Sequence, residues 1–113
     1  MTRKQSSGER LFLFQWRAAG MESDGIPQPV REYRGIPGRK FAFDFAWPEK
    51  MVCLEVDGGI ITGGRHVRIK GYMNDCEKQN LAIAAGWRYF RITPYQLKDD
   101  PVRWINFLAE QLK

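Results

Sequence analysis

Two carboxylates in the middle of the chain stand where solvation does not explain them. Asp44 lies in the run Lys40 to Trp47, and Glu55 lies in the run Met51 to Asp57. In the first run Phe41, Phe43 and Phe45 alternate with Ala42, Asp44 and Ala46. That period predicts a strand with the aromatic rings on one face and Asp44 on the other. In the second run Val52, Leu54 and Val56 alternate with Cys53, Glu55 and Asp57. Pro48-Glu49-Lys50 is a tight connection and predicts an antiparallel return. A hairpin of this kind brings Asp44, Glu55 and Asp57 together. Close carboxylates repel and shift one another's pKa. A hard divalent cation offsets that cost: Mg²⁺ takes one or two carboxylates plus phosphate and water, activates a water and stabilises charge in phosphodiester displacement. Mg²⁺ is the expected metal, with Mn²⁺ able to substitute. Two bland readings compete, a cross-pair between Asp44 and an arginine and a Glu55 on a solvated sheet face.

The surroundings are basic. Gly58-Gly59, Gly63-Gly64 and Gly71 punctuate residues 58–71, which also carry Arg65, His66, Arg68 and Lys70. This reads as a basic, flexible loop. Arg39, Arg65, Arg68 and Lys70 are candidates for contacts to the phosphates of a nucleic-acid backbone. The formal charge of the whole chain is +5, which suits a polyanionic partner. His66 is the only histidine and is a candidate general acid or base. A zinc site from Cys53, Cys76 and His66 lacks a fourth ligand and the usual cysteine spacing. Two cysteines make no disulfide framework, which suggests a reducing cytoplasm. The polar start predicts no signal peptide, and no apolar run reaches the length of a membrane span.

These side chains must be positioned by a single domain, expected over residues 9–113 after a tail at 1–8; 113 residues suffice for one core. Ser6 and Glu9 fit a capping box. They open a helix with Leu11, Phe12, Phe14, Trp16, Ala18 and Ala19 as its apolar part, stopped by Gly20. Gly25, Pro27 and Pro29 mark a loop. Val30 to Arg34 reads as a short strand or an extended lead-in. After the hairpin and the glycine-rich loop, a helix is expected from about Tyr72 to Ala85, closed by Gly86. On it Asp75, Lys78 and Gln79 share a face. Trp87 to Ile92 is a last strand, joined to the sheet by a crossover. Asp99 or Asp100 caps a final helix with Pro101 in its first turn. Val102, Ile105, Leu108, Ala109 and Leu112 form its buried stripe. The predicted fold is α/β, a small mixed sheet flanked by helices, and the order of elements is αβββαβ with a C-terminal helix.

This order, with Asp44 on one strand and Glu55-Val56-Asp57 on the next, resembles the core of the PD-(D/E)XK, or restriction-endonuclease-like, nuclease superfamily. More narrowly, Glu32 to Thr93 resembles phage and bacterial endonuclease-like proteins related to very-short-patch repair nucleases. The strings FDFAWPE, EVDGG, GRH and DCEKQN carry that likeness, which spans a little over half of the chain. The resemblance implies a metal-dependent DNA endonuclease in a bacterial or phage-infected cell, with Asp44 and Glu55 as metal ligands. Glu32 matches an upstream acid that many members carry near the site. One departure is clear: the catalytic lysine of the family falls at position 57, and this chain has Asp57. The missing positive charge is therefore expected from elsewhere, first from Lys78 on the following helix, then from Lys70 or His66. Alternatively Asp57 is a third metal ligand. A catalytically inactive nucleic-acid-binding module of the same fold, and a domain that binds protein rather than DNA, are the rival readings. A homodimer is plausible at this size.

Overall fold

The computed structural model describes residues 5–58 and 65–113, without the side chains of 65–67. The chain begins with α1 (Ser7–Ala18), capped by Ser6. Ser6 Oγ accepts from Glu9 N–H, and Glu9 returns a carboxylate oxygen to Ser6 N–H at 3.1 Å. This is the capping box expected from the sequence; because it starts the helix at Ser7, Ser7 and Gly8 do not belong to a tail. Then follow β1 (Val30–Tyr33), β2 (Phe43–Trp47), a 3₁₀ turn (Pro48–Lys50) and β3 (Val52–Val56). Met51, at φ 53°, closes the turn, its N–H donating to Pro48 O at 3.1 Å. After α2 (Arg65–Ala84) come β4 (Arg88–Ile92), α3 (Pro94–Asp99) and α4 (Pro101–Gln111).

The four strands form one mixed sheet in the order β1-β2-β3-β4. β1 and β3 run antiparallel to β2, and β4 lies parallel to β3. The parallel join follows from chemistry of the connection: β3 and β4 are linked through a helix rather than a turn. Each sheet face carries its own apolar cluster. Phe12 and Trp16 of α1, Leu97 of α3, and Ile105 and Leu108 of α4 pack with Phe45, Trp47, Val52, Leu54 and Val56 on one face. Ala82 of α2 packs with Phe43, Ala46, Cys53 and Trp87 on the other. The domain is thus α/β, with helices on both sides of a small mixed sheet.

Several expectations are corrected. The helix expected from Tyr72 begins at Arg65, so Arg68 and Lys70 stand on helix rather than loop. No proline interrupts this run, and one interior glycine, Gly71, costs only about 1 kcal/mol. The strand expected from Lys40 begins at Phe43, and its aromatic residues do not share a face: Phe43 joins the α2 side, whereas Phe45 joins the other. The alternation breaks at Asp44, where β2 leaves its ladder with β3. α3 lay hidden in residues read as a connection, although Thr93 and Gln96 make a second capping box with Pro94 at the first position. Asp100 caps α4. Of the stripe expected on α4, Val102 is exposed and the other four residues are buried.

Gly35 marks the tightest packing on the α2 face. A Cβ there would lie 2.8 Å from Trp87 Cε2 and 2.9 Å from Phe43 Cε2. The indole N–H of Trp87 also donates to Gly35 O at 3.0 Å. Overpacking against two rigid rings costs about 1–3 kcal/mol. Gly35→Ala is therefore expected to lower the urea midpoint by that equivalent with an unchanged m-value, whereas Gly38→Ala, with open space around it, introduces no such clash and tests only the cost of a positive φ.

Candidate active site

The site begins where β2 and β3 part. Backbone pairing holds Trp47 to Val52, Ala46 to Cys53 and Phe45 to Leu54. One residue further, side chains replace the ladder. Asp44 N–H donates to Glu55 Oε2 at 3.1 Å, and Val56 N–H donates to Asp44 Oδ2 at 2.9 Å. Each carboxylate thus satisfies a backbone donor that the splayed strands would otherwise leave open. Burying these acids is tied to the divergence of the strands, and hairpin geometry alone does not supply it.

Side-chain direction decides which neighbours meet them. Cys53 packs on the α2 face, so Glu55 and Asp57 project there too. On β4 the parallel register puts Tyr89 beside Cys53 and Arg91 beside Glu55. From α2, Lys78 reaches down: its ammonium pairs with Glu55 Oε1 and donates to Ala42 O. Tyr89 Oη donates to the same Glu55 oxygen at 3.3 Å. Arg91 pairs with Asp57. These residues, with Asp44 and Asp75, line a cleft of about 240 Å³. Asp44 also borders a second hollow, of about 390 Å³, on the side of α1 and α3, shared with Glu9, Tyr95 and Lys98.

Asp44 carries the clearest electrostatic signature. Burial, then the charge and hydrogen bond of Glu55, then the charge of Glu9, raise its carboxyl from the ordinary 3.8 to about 7. Glu9 is 2% exposed. Burial and Glu55 likewise push the Tyr89 hydroxyl up, keeping it a donor. Burial, with Glu55 adding, raises the Cys53 thiol to about 12, which keeps it a neutral core group.

Asp44, Glu55, Asp57 and Lys78 therefore line one cleft; the strand spacing predicts the meeting of the three acids, whereas Lys78 is expected only from the family resemblance. Glu32 does not line either hollow. It sits on β1 at φ 51°, between the pairs Arg31–Phe45 and Tyr33–Phe43. Glu9 is a further acid whose charge is felt at Asp44; its capping-box role was legible, its proximity was not. Arg39 pairs with Glu77 at 2.6 Å and lies over the Phe41 ring, away from the cleft lining. Arg68 and Lys70 are exposed on the first turns of α2. The side chains of Arg65 and His66, and Gly59, lie outside the described residues. Sequence reading missed Tyr89 and Arg91. Their alternation with Phe90 and Ile92 held the signal, but it pointed to the site only once β4 was laid parallel to β3.

The donor set fits a hard cation of modest ligand demand. Among the described residues no three His, Cys, Asp or Glu side chains form a ready ligand set. Asp57 is turned to Arg91, so an ion would take oxygens of Asp44 and Glu55 and fill its shell with water or phosphate, as Mg²⁺ does. Such an ion would neutralise the charge of Glu55, which after burial is the next cause that raises Asp44.

No protein-family model, curated protein or solved structure matches the chain. Among the described residues no helix is long and apolar enough to cross a membrane.

The raised Asp44 carboxyl has a definite pH consequence. Its folded pKa, about 7, exceeds the unfolded value near 3.8. The folded chain therefore holds this proton more tightly, and its stabilising effect is complete below pH 3.8 and lost as pH rises through about 7. In metal-free buffer, wild type should lose stability relative to Asp44→Asn between those values. Mg²⁺ should recover it increasingly above pH 7, because cation and proton compete for one carboxylate. Urea titrations across the range, with and without Mg²⁺, read both slopes.

Proposed function

We propose that the chain is a Mg²⁺-dependent DNA endonuclease that hydrolyses phosphodiester bonds, built on a restriction-endonuclease-like core. The observation that carries this reading is the Lys78–Glu55 ion pair beside Asp44. The family that the sequence resembles needs a lysine two residues beyond its Glu; here that position is Asp57, and α2 supplies an ammonium to the same carboxylate instead. The strand order, with two antiparallel pairings and one parallel, supports the finer fold.

In this reading Asp44 and Glu55 hold the ion, which supplies Lewis-acid charge at the scissile phosphate. Lys78 orients Glu55 and, near the phosphate, offsets charge that develops on its oxygens. Tyr89 donates to the same Glu55 oxygen and helps Lys78 to fix the carboxylate. Arg91 screens Asp57, so that its negative charge does not repel an approaching backbone. The guanidinium thereby does at position 57 part of what a lysine there would do. Arg68 and Lys70, exposed on α2, are candidates for phosphate contacts. His66 remains the candidate acid or base of the adjoining segment.

Nicking of supercoiled plasmid tests the proposal. With Mg²⁺ or Mn²⁺ wild type should convert the plasmid, and chelation should stop it. Asp44→Ala and Glu55→Ala should each lower the rate by about 100-fold or more, and Lys78→Ala by about 10- to 1,000-fold with metal binding retained. Absence of metal-dependent cleavage on duplex, branched and single-stranded DNA would refute the enzyme. Retained salt-dependent binding under those conditions would leave the non-catalytic nucleic-acid-binding module.

A further inference from the structure

The outer face of α2 is apolar where a surface helix is ordinarily polar. Ile69, Met73, Cys76, Asn80 and Ile83 follow one another in steps of four and three residues, the spacing of a coiled-coil seam. This row lies about half a turn around the helix from Lys78 and Ala82, which face the sheet. Ile69, Met73 and Ile83 are 49%, 63% and 53% exposed. Tyr72 borders the row and is also exposed, and residues 68–75 are exposed throughout. A shallow groove runs along it between Tyr72, Met73, Cys76 and Asn80. The seam from Ile69 to Ile83 is about 21 Å long at 1.5 Å per residue.

We propose that this seam pairs with the same seam of a second copy, the two α2 helices running antiparallel. Charge selects the partner and the direction. Lys70 and Glu77 each follow a seam residue by one position, Ile69 and Cys76, and so line the same flank. In an antiparallel pair, like flanks face each other. With Met73 packed beside the Cys76 of the second copy, Lys70 faces the second copy's Glu77, and two-fold symmetry repeats the contact. A parallel pair sets this flank against the one bearing Tyr72 and Gln79 and forms no such ion pair. Glu77 already meets Arg39 in an exposed pair; the second lysine extends that pair into a network. Asn80 falls opposite Ile69 in this register, and one polar residue in an apolar seam penalises slipped alignments. The pairing uses the side of α2 away from Lys78 and draws on none of the residues that line the Asp44–Glu55 cleft.

Sedimentation equilibrium of the whole chain, from about 1 to 100 μM, decides the matter. The expected result is a reversible dimer that Met73→Glu weakens at least tenfold by placing a charge in the seam. Lys70→Glu should weaken it about three- to tenfold, and Lys70→Glu with Glu77→Lys should restore it, because the pair is only exchanged. A short bis-maleimide should join two chains through Cys76, since Cys53 is fully buried. A monomer throughout the range overturns the proposal. So does a dimer indifferent to Met73→Glu, or one that the double exchange fails to rescue. A monomer that loses DNA affinity on Met73→Glu also overturns it, and would assign the face to nucleic acid. Circular dichroism of each exposed-site variant confirms that it folds.

Discussion

Everything else in the molecule depends on the point where β2 and β3 stop sharing backbone hydrogen bonds. Past Phe45 and Leu54 the ladder is replaced by two side-chain contacts, from Asp44 N–H to Glu55 and from Val56 N–H to Asp44. A buried N–H without an acceptor costs about as much as a lost hydrogen bond. Removing either carboxylate therefore leaves a defect in the sheet as well as in the site. This also explains why acids are tolerated among apolar strands: they are structural acceptors first.

The divergence redistributes the core. Because β2 twists at Asp44, Phe43 faces Trp87 and Tyr89 on the α2 side, with ring centroids 5.0 and 6.1 Å away. Phe45 instead lies 4.9 Å from Phe12 of α1. Both helical layers consequently press on the residue between them. Desolvation from this packing is the first cause of the raised Asp44 carboxyl. Against it, the structure sets one ammonium and one guanidinium, each tied to a different acid: Lys78 to Glu55 and Arg91 to Asp57. At Asp44 the hydrogen bond from Val56 N–H works against the burial and the neighbouring acids that raise its carboxyl.

Much of this was legible in residue order. Strict alternation in Val52 to Asp57 placed Glu55 and Asp57 correctly, and the three-residue turn set β2 and β3 antiparallel. The spacing of Ser6 and Glu9 located the first helix cap, whereas Lys78 was reached through the family resemblance and not through residue order. The misreadings have physical causes. Alternation assumes an unbroken ladder, so it put Phe43 and Phe45 together although Asp44 interrupts the pairing. Glycine density around Gly63 and Gly71 suggested a loop, although a single glycine does not stop a helix that long. Glu9 and Arg91 were invisible as site residues because their nearness to Asp44 and Asp57 comes from helix docking and strand order. Neither leaves a local trace in the sequence.

The parallel join between β3 and β4 sets an order of assembly. The acidic wall of the cleft is local, made by a hairpin whose strands are joined by four residues, Pro48 to Met51. Its basic wall arrives only when the chain has passed through α2 and returned, since Arg91 lies beside Glu55 and Asp57 N–H donates to Ile92 O at 3.0 Å. Short loops close sooner than long ones. The hairpin must therefore meet its own carboxylate repulsion before Lys78 and Arg91 come to relieve it. Once β4 docks, the same acids that repel one another within the hairpin tie it to α2 through Lys78 and to β4 through Arg91.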